Sequence, residues 1–338
     1  MYTFKKISSL NFIKTPNKIL LTKIKSFINE KKDINFLDEN GKALIHYAIE
    51  YGNSEAIKLL LDNNCNVNIK DSIYQRNLYH FCARYNQVRV IKLLPINTLN
   101  INACDINGTS PLHIASIYEH TEIINELIKC KADIEITTKT KSTPLHIASL
   151  INKTKSIKTL LKLGANITSI DEAGLTPLHY ASRNGHIQSC KILLNNNAPI
   201  EYKDHSGATP LFFSIKKGHI ETAKELIQLN ADIHETDHTN RSLLHIAAKY
   251  GQNNVIKFLL SNKLNINQED KYKSTPLHLA IENGDLTTVQ VLLTNKAGIY
   301  TENKKGLTPT LILSKFFLTF KLFSVGRSIG DCLSYLFR

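Results

Sequence analysis

One short string recurs through this 338-residue chain at a nearly constant interval. Ser110-Pro111-Leu112-His113-Ile114-Ala115 returns as Thr143-Pro144-Leu145-His146-Ile147-Ala148, as Thr176-Pro177-Leu178-His179-Tyr180-Ala181 and as Thr275-Pro276-Leu277-His278-Leu279-Ala280. Weaker copies are centred on His46, His80, Phe212 and His245. The fourth position of the string thus falls at 46, 80, 113, 146, 179, 212, 245 and 278, with every step 33 residues except the first, which is 34. Eight copies in phase demand an array in which each unit buries its apolar face against its neighbours.

Each copy has a physical grammar. Asp and Gly open it with a tight turn, as in Asp171-Glu172-Ala173-Gly174. Thr offers a hydroxyl to cap a short helix, and Pro suits the first helical position because it has no N–H to leave unpaired. A second helix follows, with apolar residues 11, 14 and 15 places after the histidine position: Ile57, Leu60 and Leu61; Cys190, Leu193 and Leu194; Val289, Leu292 and Leu293. That i, i+3, i+4 spacing predicts one buried face. A left-handed residue must then stop the helix. Gly164 supplies it in one unit, and Asn64, Asn197 and Asn230 in others. Lys131, Lys263 and Lys296 stand there in three more, where strain is expected.

These residues resemble ankyrin repeats, and the likeness covers residues 38–302 in eight units: 38–70, 71–104, 105–137, 138–170, 171–203, 204–236, 237–269 and 270–302. It implies an all-α repeat solenoid of helix–loop–helix units, with projecting β-hairpin loops and a concave inner face. The register extends backwards onto Ile24, Phe27 and Ile28, so residues 17–37 read as a capping half repeat, a better account than a transit peptide. Residues 1–16 read as a flexible basic terminus. Gly306-Leu307-Thr308-Pro309 opens a ninth unit that decays within 303–338. The second unit departs most: it carries one extra residue before Asn77, and Pro95 stands in a helical leucine position, where it ends the helix early.

The formal charge of +13 suggests nucleic acid until it is located. Residues 1–37 hold eight lysines against two acids, and residues 303–338 hold six basic groups against Asp331. The 265 residues between carry 28 basic and 26 acidic groups, so the body shows no dense basic stripe overall. The six cysteines have irregular spacing and no CxxC, which points to a reducing, cytoplasmic compartment and to neither disulfides nor zinc. No stretch reaches the roughly 20 apolar residues of a spanning helix. The tail from Leu311 to Arg338, with Phe316, Phe317, Phe320 and Phe323 among Lys and Arg, reads as a degenerate cap. Its alternative is a basic amphipathic segment on a membrane surface.

No catalytic constellation survives the register. His179, Ser182, His186, Ser189 and Cys190 crowd one stretch, but His179 is one of seven histidines at one repeat position, and a catalytic histidine occurs once. The resemblance gives these histidines hydrogen bonds that tie helix to hairpin. His234 and His238 have metal-like spacing, and His205 lies one unit before His238, yet solvated loop histidines are the commoner case. GxGxxG, Walker, HExxH and GxSxG motifs are lacking. The reading is therefore a non-enzyme without cofactor, metal or catalytic residues.

If repeating positions build the interior, partner choice falls to the others. The resemblance places it at the hairpin tips and at positions four and five after the histidine. There Tyr51, Tyr85 and Tyr118 form a line extended by Leu150 and Ile151, with Arg84 beside it. Arg183, Lys216, Lys217 and Lys249, with Tyr250, form a basic stretch suited to an acidic protein segment. The expected partner is a protein bound by a monomer. Nucleic acid on those cations and a peripheral membrane adaptor held by the tail are the competing readings. An AT-rich coding bias, seen in the abundant Lys, Asn and Ile, adds an analogy with proteins of host-associated organisms, and with it delivery to a host cell.

Overall fold

The computed structural model describes residues 16–94 and 99–314. Pro95, most of the basic terminus and the tail beyond Ser314 lie outside the described residues, and with them the expectations of a flexible start and a membrane-binding end. The chain divides into two compact units, Met1–Glu172 and Ala173–Arg338.

The first unit opens with α1 (Pro16–Asn29), followed by helix pairs α2 (Leu44–Glu50) and α3 (Ser54–Asp62), α4 (Leu78–Arg84) and α5 (Val88–Ile91), α6 (Pro111–Ile117) and α7 (Thr121–Lys129), and α8 (Pro144–Leu150) and α9 (Thr154–Lys162). First helices pack on first helices, α2 on α4, α4 on α6 and α6 on α8. Second helices follow the same rule from α3 through α5 and α7 to α9. The α1 helix lies against α3 and α2, burying Leu20 and Ile24. The second helix of the irregular repeat is only four residues long, the early end expected from Pro95.

The second unit repeats the plan with α10 (Pro177–Arg183) and α11 (Ile187–Asn195), α12 (Pro210–Lys216) and α13 (Ile220–Gln228), α14 (Leu243–Lys249) and α15 (Asn253–Ser261), and α16 (Pro276–Glu282) and α17 (Leu286–Thr294). Residues 309–314 are helical again. Its interior is built from Leu211, Ile215, Leu226, Leu244, Ile256, Leu259, Leu277 and Leu292. In both units the apolar positions 11 and 14 after the histidine are fully buried, as Ile57 and Leu60 or Cys190 and Leu193. Position 15, as Leu61 or Leu194, is only half-buried and lies at the edge of that face.

Most loops owe their shape to one aspartate each, with Thr138 and Asn303 in its place in two of them. Asp204 Oδ1 accepts the N–H groups of Ser206 (2.8 Å) and Ala208 (2.9 Å), and Asp237 Oδ1 those of Thr239 (2.8 Å) and Arg241 (3.0 Å). A carboxylate thereby satisfies donors that a short turn would strand. Among the described residues the loops hold no strand, only an isolated antiparallel bridge between Thr236 and Ser242. The expected hairpins are tight turns. The left-handed stops are in place: Asn64, Asn197 and Asn230 at φ 56°, 65° and 71°, Lys131, Lys263 and Lys296 at 64°, 63° and 66°, and Gly164 at 93°.

Candidate partner-binding surface

The recurring histidine is the third residue of each first helix, and its ring joins three pieces of chain. In His113, Nδ1 accepts the N–H of Ser110 (3.2 Å) and lies 2.8 Å from the Ser110 hydroxyl. Because Nδ1 accepts, the proton sits on Nε2, which donates to the carbonyl of Ser142 in the next repeat (3.0 Å). His179 is held the same way by Thr176 and by the carbonyl of Ala208 (3.2 Å), and His245 by Ser242 and Ser274 (2.9 Å). Burial pushes the imidazoles of His46, His80 and His113 down to about 4. In His80, His113, His179 and His245 both nitrogens are occupied, and such a neutral ring has no lone pair for a metal or a nucleophile's proton.

Ser182 is buried 3.6 Å from the thiol of Cys190, whose ionisation burial pushes up to about 11. His186 begins α11 as its cap residue. Among the described residues no three His, Cys, Asp or Glu side chains are placed to hold a metal ion. His205, His234 and His238 are exposed in the loops. The rings of His205 and His238 lie over Gly174 and Gly207, where a Cβ would approach them to 2.6 Å and 2.5 Å.

The exterior residues form two clusters, one in each unit. In the first, Arg84 bridges two tyrosines, its guanidinium 5.8 Å from the ring centroid of Tyr85 and 5.7 Å from that of Tyr118. Tyr85 is half-buried, and its hydroxyl is pushed up to about 12 by burial and by the carboxylate of Glu50. Glu50 is itself held by Lys42 (2.7 Å). Tyr118 is 44% exposed. Tyr51 stacks on Tyr47 of its own helix, at 6.4 Å. Leu150 is half-buried and Ile151 is 37% exposed. The sequence line of three tyrosines is thus, in space, a Tyr85–Arg84–Tyr118 sandwich with Tyr51 stacked separately.

In the second unit Lys216 and Lys249 both approach the ring of Tyr250, at 4.9 Å and 5.8 Å from its centroid. Arg183 and Lys217 are exposed. A groove beside Tyr250 is walled by Phe213, Ile246 and the loop residues His205, His238 and Arg241. The sequence reading named His205 and His238 only for their metal-like spacing, and missed Phe213, Ile246 and Arg241. The signal was Phe212, the one unit with an aromatic ring where the others carry histidine.

The family model for ankyrin repeats (three copies) matches residues 17–103, 79–171, 169–237 and 229–305. The chain belongs to the ankyrin-repeat family. Ankyrin repeats are generally protein–protein interaction modules and typically non-enzymatic scaffolds. No curated protein matches the chain.

Proposed function

We propose that this chain is a non-enzymatic scaffold that binds a partner protein through the exposed ends of its first helices and the adjoining loops. The observation that carries this is the Tyr85–Arg84–Tyr118 sandwich. Aromatic rings and a guanidinium, ordered by one another and partly exposed, are the residue types that dominate interface energetics. Tyr85 also stacks on the buried Phe81 at 6.4 Å, whereas Tyr118 is 44% exposed and Arg84 is exposed. The basic stretch of Arg183, Lys216, Lys217 and Lys249 adds charge that favours an acidic protein segment.

The test is affinity capture with wild-type chain beside a Tyr51→Ala, Tyr85→Ala, Tyr118→Ala variant whose circular dichroism and unfolding midpoint match wild type. Loss of specific partners from the variant supports the reading. Identical capture by both proteins removes the tyrosines from it.

A further inference from the structure

Three features of the groove in the second unit act together. The groove is half-open and holds about 430 Å³; Phe213, Ile246 and Tyr250 supply the apolar part of a lining that also includes Asp204, Ser206, Asp237 and Thr239. Its rim is cationic. Lys216 and Lys249 flank the Tyr250 ring, and among the described residues neither ammonium pairs with a carboxylate. The groove's own acids, Asp204 and Asp237, keep their charge, but neither pairs with either ammonium. Asp204 and Asp237 turn Oδ1 into their own loops, and Asp270 holds the guanidinium of Arg241 at 3.4 Å.

Resting on the scaffold reading above, we propose that this groove takes an acidic peptide segment of the partner protein. One bulky apolar side chain of the segment enters between Phe213, Ile246 and Tyr250, and flanking carboxylates pair with Lys216 and Lys249. The charge complement decides the occupant. Two unpaired ammoniums over an aromatic face repel a basic segment and leave an uncharged one without a partner for either cation. Tyr250, already flanked by cations, is ordered before the ligand arrives, so little side-chain freedom is lost on binding.

The experiment pans a phage-displayed library of random 16-residue peptides on the full chain, on Lys216→Glu/Lys249→Glu and on the triple-alanine tyrosine variant. Selected peptides are then titrated by fluorescence polarisation. The expected result is a consensus of Asp or Glu around one bulky apolar residue. Its affinity drops at least tenfold in the charge-reversed chain, weakens with added salt and is unchanged in the tyrosine variant. A consensus without acids, or one indifferent to the charge reversal, overturns this inference and leaves the scaffold reading standing. So does tighter binding of a fluorescein-labelled oligo-dT at the same lysines. Enrichment on none of the three proteins overturns both. Matching urea-unfolding midpoints for the variants exclude a folding defect as the cause of any loss.

Discussion

The hydroxyl of Thr209 is buried with no hydrogen-bond partner, three residues before Phe212. In the neighbouring repeats that hydroxyl meets a histidine, as Thr176 meets His179 at 2.8 Å and Thr275 meets His278 at 2.9 Å. One aromatic substitution in the repeat pattern thus strands the group that caps the same helix. Replacing Thr209 by Val removes a desolvated hydroxyl that bonds to nothing, and is expected to stabilise the chain by about 1 kcal/mol. The same change at Thr275 breaks a satisfied pair and is expected to cost about 1–2 kcal/mol. Opposite shifts of the urea midpoint for the two variants check this.

Acid sensitivity follows from the buried imidazoles. The folded chain holds His46, His80 and His113 near 4, below the ordinary histidine value of about 6.5, so the unfolded chain binds more protons between those limits. Stability therefore falls as the pH drops from about 6.5 to about 4, by on the order of 3 kcal/mol per histidine. His113→Gln is expected to lower stability at pH 7 and to flatten the dependence on pH, measured as urea midpoints across that window.

The left-handed stops offer a test with two signs. Lys263 sits at φ 63° and bears the crowding of a side chain there. Lys263→Gly relieves it and is expected to raise the thermal midpoint, by about 1 kcal/mol in stability. Gly164, at φ 93°, gives the converse: Gly164→Ala adds a Cβ that meets no neighbour, so its expected loss reports backbone strain and not a clash.

The inserted residue has a local cost. The second-repeat loop closes from Asp71 to Arg76, one residue wider than Asp38 to Lys42. His46 Nε2 is left buried without a hydrogen bond, although Ile69 lies near enough to favour its charged form slightly. The ring packs instead on Phe81 at 4.5 Å between centroids. Deleting the exposed Ile73 restores the 33-residue step, keeps Gln75 in the left-handed turn position that Gly41 and Gly108 fill, and is expected to raise the thermal midpoint. A His46 imidazole N–H that exchanges more slowly with solvent in the deletion variant reports the new bond.

What could be read from the amino acids was whatever repeats. Histidine, threonine, proline and paired leucine recur because each repeat solves the same packing problem, so alignment exposes their task. Arg84 between Tyr85 and Tyr118 was half legible. Their shared surface followed from the period, while the sandwich depends on side-chain rotation, which the period does not set. The clamp of Lys216 and Lys249 on Tyr250 was hidden for the same reason. The groove beside it draws on loops and helices of two repeats, and no single stretch of sequence contains it. The short second helix was foreseeable because Pro95 removes a backbone donor. The stranded Nε2 of His46, one loop away, was not.

The histidine bonds of these repeats all point the same way along the chain: His113 to Ser142, His245 to Ser274, His278 to Leu307. Erosion from the leading edge removes a donor from a carbonyl that keeps other ways to be satisfied. Erosion from the trailing edge exposes an imidazole proton whose only acceptor has gone. Leu307 therefore supplies the acceptor on which His278 depends, and a run of such repeats acquires a direction of decay.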